Sequence, residues 1–78
     1  MTRQIVPREE QETIITIDYE TKTLNIYTNR YTVAKRIMSK GYKPVKSYKQ
    51  DGEIIALEFT VPTKNIGSFL RTGIFKFD

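Results

Sequence analysis

The segment "DGEIIALEFTV" limits this chain more than any other. After Asp51-Gly52, Ile55, Leu57, Phe59 and Val61 recur at every second residue, and β-branched or aromatic side chains dominate. A period of two over that length predicts a strand with one buried and one open face. Such a strand needs partners on both sides and a layer over its apolar face. Asp51-Gly52 marks a hairpin turn, so "YKPVKSYK" reads as the preceding strand, with Pro44 placing it at an edge or delaying its start. A three-residue loop with Gly52 in a bulge pairs Lys49 with Glu53 and Val45 with Leu57, leaving Lys46 and Tyr48 on the open face. A two-residue Asp51-Gly52 turn instead sets Lys46 opposite Leu57, toward the core. Burying an ammonium is costly, so the bulged loop is expected.

A similar unit stands upstream. "ETIITIDY" alternates, with Ile15, Ile17 and Tyr19 on one face and Ile14, Thr16 and Asp18 on the other; "TLNIYT" places Leu24 and Ile26 opposite Asn25 and Tyr27. A four-residue loop over 20–23 pairs Tyr19 with Leu24 and Ile17 with Ile26, joining the apolar faces. "NRYTVAKRIMSKG" then changes period: Val33, Ala34, Ile37 and Met38 fall in one helical stripe, and Lys35, Arg36, Ser39 and Lys40 fall opposite. Thr28 or Asn29 is placed to cap a helix over 30–40, and Gly41 sits where helices end in the left-handed conformation. "PTKNIGSFLRTG" predicts a shorter helix over 64–71, with Thr63 as cap, Ile66, Phe69 and Leu70 on one face, and Gly73 at its end. "IFKF" either adds a short fifth strand or packs down. The order is β-β-α-β-β-α, and the halves match at offsets of about 30 residues, as duplication or as two ββα units built under the same rules. The fold expected is α+β: one four-stranded antiparallel sheet with both helices on one face, and Ile17, Ile26, Ile37, Leu57, Phe59 and Leu70 in the core. Residues 1–11 lack a period and are expected as a loose arm before a single domain over 12–78.

Composition restricts the chemistry. The 78 residues include no cysteine and no histidine, which removes disulfides, thiolate metal sites and the commonest general base. No glycine-rich phosphate loop occurs, and Glu9, Glu10 and Glu12 read as a solvated arm rather than a cation site. A non-catalytic protein without cofactor or metal is expected. No apolar run reaches membrane-span length and the first residues lack a signal-peptide core, so a cytoplasmic protein without a membrane partner is expected.

Charge is the feature above background. The net charge is +4, yet residues 21–50 contain no acid and eight bases: Lys22, Arg30, Lys35, Arg36, Lys40, Lys43, Lys46 and Lys49. A polarised molecule of this kind attracts a polyanion or an acidic protein surface. The candidate nucleic-acid-binding residues are Lys35, Arg36, Lys40, Lys43, Lys46 and Lys49, with Tyr42 and Tyr48 to stack on bases. As a binding surface, these lysines must share a side with Lys35 and Arg36; otherwise they only protect an edge strand from aggregation. Lysine outnumbers arginine in the run, so weak sequence specificity is expected. Ile14, Tyr27 and Ile54, large for an open sheet face, mark a candidate protein interface or homodimer surface.

Asp18, Tyr19, Ile26, Tyr27, Thr28 and Arg30, with Arg36 further on, follow a pattern of strand, acidic-aromatic turn and "IYT-x-R" leading into a helix. Over about half the chain this resembles small proteins of bacteriophages and prophages of Gram-positive bacteria. The resemblance implies a bacterial host and a mobile-element setting. Small binding proteins and inhibitors of host defence are common there, so a factor acting on a host defence or nucleic-acid-handling protein is the alternative expectation.

Overall fold

The computed structural model describes residues 1–71 and 73–76. Strands β1 (Thr13–Asp18), β2 (Thr23–Thr28), β3 (Lys46–Gln50) and β4 (Glu53–Pro62) form one antiparallel sheet in the order β1-β2-β4-β3. Helix α1 (Tyr31–Ser39) follows β2, and the short α2 (Ile66–Leu70) follows β4 through a 3-10 turn, Thr63–Asn65. Leu24, Ile26, Leu57, Phe59 and Val61 meet Val33, Ala34 and Ile37 of α1 and Phe69 of α2 in one buried cluster. Both helices therefore cover one face of an α+β sheet. Each ββα unit contributes one central strand and one outer strand, so β1 and β3 hold equivalent positions at the two edges of the strand order.

The first hairpin departs from the expected register by two residues. Ile17 pairs with Leu24 and Asp18 with Thr23, leaving a turn over 19–22. The Asp18 carboxylate accepts hydrogen bonds from the N–H groups of Glu20 (2.9 Å) and Thr21 (3.1 Å), and Lys22 takes φ 58°. This side-chain turn closes the hairpin one residue earlier than the expected loop. Tyr19 is left outside the sheet, 85% exposed. A two-residue shift preserves which face each side chain occupies, so Leu24 and Ile26 remain in the core.

Those two hydrogen bonds, the one from Thr21 foremost, hold the Asp18 carboxyl below its usual titration range. A depressed carboxylate stabilises the folded state above its unfolded pKa, and that contribution disappears as pH falls through the folded value. Asp18→Asn retains the acceptor but not the charge. The gap in melting temperature between the wild type and this variant should therefore be widest above the usual carboxylate range and close as pH falls through the lowered value. A gap independent of pH would contradict this assignment.

The second hairpin uses the two-residue turn that the charge argument disfavours. Gln50 pairs with Glu53, and Asp51 and Gly52 adopt φ 52° and 80°. Positive φ at both central positions is the type I′ geometry, for which Asp-Gly is well suited. The extra residue appears within β4 instead. Between Tyr48 and Lys49 the partner jumps from Ala56 to Ile54, so Ile55 is bulged. This bulge returns Lys46 to the open face, opposite Glu58 rather than Leu57. It also turns Ile54 to the helix side, where it packs against the core. The placement of Ile54 on the open face is corrected accordingly.

The segment expected to be a loose arm is docked instead. Gln4 caps α1: its Oε1 accepts from Tyr31 N–H at 2.7 Å, while its Nε2 donates to the Asn29 carbonyl at 3.1 Å. Asn29, expected as a helix cap, is buried and used elsewhere. Its Oδ1 accepts from Glu12 N–H (2.7 Å) and its Nδ2 donates to the Glu10 carbonyl (3.0 Å). Arg3 reaches Glu53 at 2.8 Å, and Met1 lies against the core. Helix starts carry orphan N–H groups, and α1 has no acid in its first turn, so distant polar side chains complete it.

Two expected core residues are not buried. Ile17 is 42% exposed because β1 is an outer strand that the helices leave partly uncovered. Leu70 is 50% exposed because a five-residue helix buries only a narrow face, and Phe69 occupies it between Tyr42 and Phe75. Residues 73–75 form a turn that buries Ile74, rather than a fifth strand; Phe77 lies outside the described residues.

Candidate nucleic-acid interface

The basic residues do not share one side: Lys46 and Lys49 fall on opposite faces of the sheet, so the one-sided surface expected for binding is absent, which is the arrangement expected where lysines guard an edge strand. Lys35 stands on the exposed side of α1, away from the sheet. Lys40 follows α1 as its C-cap, and Gly41, at φ 94°, reverses the chain there with its N–H on the Met38 carbonyl. Lys43 is exposed in the connection to β3. Lys46 projects from β3 on the open face, the side opposite the helices, whereas Lys49 pairs with Ile54 and shares the helix side. Among the described residues none of these five lysines forms an ion pair. All five are exposed, Lys46 opposite Glu58 of β4, and a linear polyanion lying along the edge could be touched from both sides.

Three sequence candidates have structural duties. Arg36 is half-buried, and its Nη1 donates to the Ile74 carbonyl at 3.2 Å, tying the C-terminal turn to α1. Tyr42 packs edge-on against Phe69 with ring centres 5.6 Å apart, and its hydroxyl accepts from Asn65 at 3.3 Å. Neither is placed to meet a ligand at the β3 edge. Tyr48 donates its hydroxyl to Glu58 Oε1 at 2.8 Å and meets Tyr27 edge-to-face at 5.2 Å. Its half-buried ring lies beside Lys46, whose Nζ is 5.1 Å from the ring centre. A cation above a tyrosine face is held by the ring quadrupole, which orients the ammonium at this edge.

On the open face, Tyr27 lies beside its cross-strand partner Ile14, which is 50% exposed, and near Tyr48. Partial burial, and then the nearby Glu12 and Tyr48, push the Tyr27 phenol above its usual pKa, so it remains neutral near pH 7. The aromatic pair consists of Tyr27 and Tyr48, rather than Tyr42 and Tyr48. Sequence reasoning missed it because Tyr27 and Tyr48 are 21 positions apart and meet only through the central β4. Alternation in both strands places the two residues on the open face, but strand order had to be known to make them neighbours.

Among the described residues no helix is long and apolar enough to cross a membrane, and no cluster of three or more acidic side chains is placed to hold a metal ion. Comparison with known protein families, with curated proteins and with solved structures finds no match to this chain.

Proposed function

We propose that the protein is a non-catalytic binding module that contacts nucleic acid along its β3 edge with low sequence specificity. The observation that carries this reading is the set of four exposed lysines, Lys40, Lys43, Lys46 and Lys49, none of them ion-paired among the described residues, in a stretch without an acid. Lysine is a flexible point charge suited to phosphate, whereas reading a base edge favours the planar fork of arginine. Arg36 is committed to the fold, which leaves this edge few means of distinguishing sequences. Tyr48 and Tyr27 offer half-exposed rings beside the lysines, so a single strand with unstacked bases fits better than a duplex. The resemblance to phage proteins supports a mobile-element setting in a bacterial host.

The test is fluorescence anisotropy with a labelled single-stranded oligonucleotide over a range of salt. Four phosphate contacts predict that the logarithm of affinity falls against the logarithm of salt with a slope of about −3. Lys40→Glu combined with Lys43→Glu should abolish binding while shifting stability by less than about 0.5 kcal/mol per site. If that variant binds as tightly as the wild type, the lysines only guard an edge strand. An acidic surface on a host protein is the rival partner for the same lysines. Affinity capture from host lysate separates the two: a stoichiometric protein that survives nuclease would displace the nucleic-acid reading.

A further inference from the structure

The two outer edges of the sheet are equivalent in position and opposite in character. At the β3 edge, residues 40–50 carry four lysines and no acid. At the β1 edge, Ile14, Ile15 and Ile17 are 50%, 42% and 42% exposed, with no lysine, proline or bulge among them. Among the described residues no strand pairs with the outer side of β1. Proteins ordinarily blunt such an edge, because its free N–H and C=O groups template another strand. The flanks of β1 are acidic: residues 8–22 hold Glu9, Glu10, Glu12, Asp18 and Glu20 against only Arg8 and Lys22. Beside Ile15 lies a groove of about 410 Å³ whose lining mixes Val33 and Phe75 with Arg8, Glu12 and Arg30.

We propose that the partner of the β1 edge is the β3 edge of a second copy, so that copies join head to tail into one continuous antiparallel sheet. Neighbouring strands alternate in direction along β1-β2-β4-β3, so β1 and β3 run opposite ways. A second copy placed alongside in the same orientation therefore presents its β3 antiparallel to β1, with all helices on one side. Charge selects this arrangement from the three edge pairings available. Pairing β1 with β1 sets acids against acids, and pairing β3 with β3 sets lysines against lysines. Only β1 with β3 brings opposite charges together.

Side-chain alternation supports a specific register. Ile14, Thr16 and Asp18 share the open face with Lys46 and Tyr48. Setting Lys46 of one copy opposite Asp18 of the next also sets Tyr48 opposite Thr16 and Ser47 opposite Ile17, keeping the open faces and the helix faces continuous. A head-to-tail contact of this kind does not close on itself with two copies, so the product is an open chain or a ring. This inference goes beyond the nucleic-acid reading, and a polyanion on β3 would compete with it.

Sedimentation velocity on nuclease-treated protein, with no oligonucleotide present, isolates the inference from that reading. The average mass should rise with protein concentration and fall with added salt. Three variants locate the contact, each checked for folding by circular dichroism. Ile17→Lys should remain monomeric at every concentration, as should Lys46→Glu with Lys49→Glu and Glu12→Lys with Glu20→Lys. A wild type that stays monomeric would overturn the proposal. So would assembly that stops at a dimer, or assembly that persists when either edge is reversed alone. Nucleic-acid binding measured separately by anisotropy stands or falls on its own.

Discussion

Phe59→Ala should destabilise the protein by about 3–5 kcal/mol, the largest effect expected of a single truncation in this fold. Phe59 is fully buried on central β4, opposite Ile26 of β2, in the cluster that joins the sheet to both helices. Removing the ring forfeits its transfer free energy and leaves a cavity that the flanking strands are too constrained to collapse. A domain of 78 residues has roughly 4–12 kcal/mol of total stability, at about 0.05–0.15 kcal/mol per residue. The variant should therefore melt some 15 °C or more below the wild type, or fail to fold at 37 °C. Thermal unfolding followed by circular dichroism is the measurement. A loss below about 1 kcal/mol would mean that this face of β4 is not the core.

Asn29→Ala should cost about 2–4 kcal/mol, an unusual penalty for a short polar side chain outside any helix or strand. Asn29 is buried between the end of β2 and the start of α1. Its amide satisfies Glu12 N–H and the Glu10 carbonyl at once, and its own N–H reaches the Glu12 carbonyl at 3.2 Å. Alanine retains the last of these bonds and leaves the first two groups without their partner. Asn29→Asp should fall between, since a carboxylate still accepts from Glu12 but cannot donate to Glu10. Amide hydrogen exchange should locate the damage in residues 1–12, with the sheet losing less protection. Equal loss across the whole chain would show that the N-terminal segment contributes no separable stability.

These two residues differ in how far their roles could be read from the chain. Phe59 sits in a period-two run that can satisfy its apolar side in only one way, so its burial follows from the pattern. Asn29 looks like a helix cap, because the same amide suits a local N–H equally well. Its actual partners lie 17 and 19 residues upstream, and the segment that carries them has no period to announce it. Gln4 is similar: nothing local marks it as the group that completes α1.

The candidate site divides along the same line. That Lys40, Lys43, Lys46 and Lys49 are exposed follows from charge alone, since an unpaired ammonium is not buried. That Arg36 and Tyr42 are engaged in the fold does not follow from charge or spacing, because their partners, Ile74, Phe69 and Asn65, come from the end of the chain. The side of the sheet taken by Lys46 depended on one bulged residue. Desolvation required that Lys46 avoid the core, and alternation alone left open whether the loop or the strand would absorb the extra residue.

Local chemistry thus determined the element order, the position of the Asp51-Gly52 turn though not its type, the glycine that ends α1 and the apolar stripe of each element. These are properties of a few neighbouring residues, set by backbone sterics and by the side-chain periods of 2 and 3.6. Tertiary structure alone decided the strand order β1-β2-β4-β3, the docking of residues 1–12, the bulge at Ile55 and the two oppositely charged edges. Each of those depends on groups far apart in sequence competing for one interior and one set of hydrogen bonds. Only the assembled sheet shows which pairing leaves no ammonium in the core and the helix-capping groups satisfied.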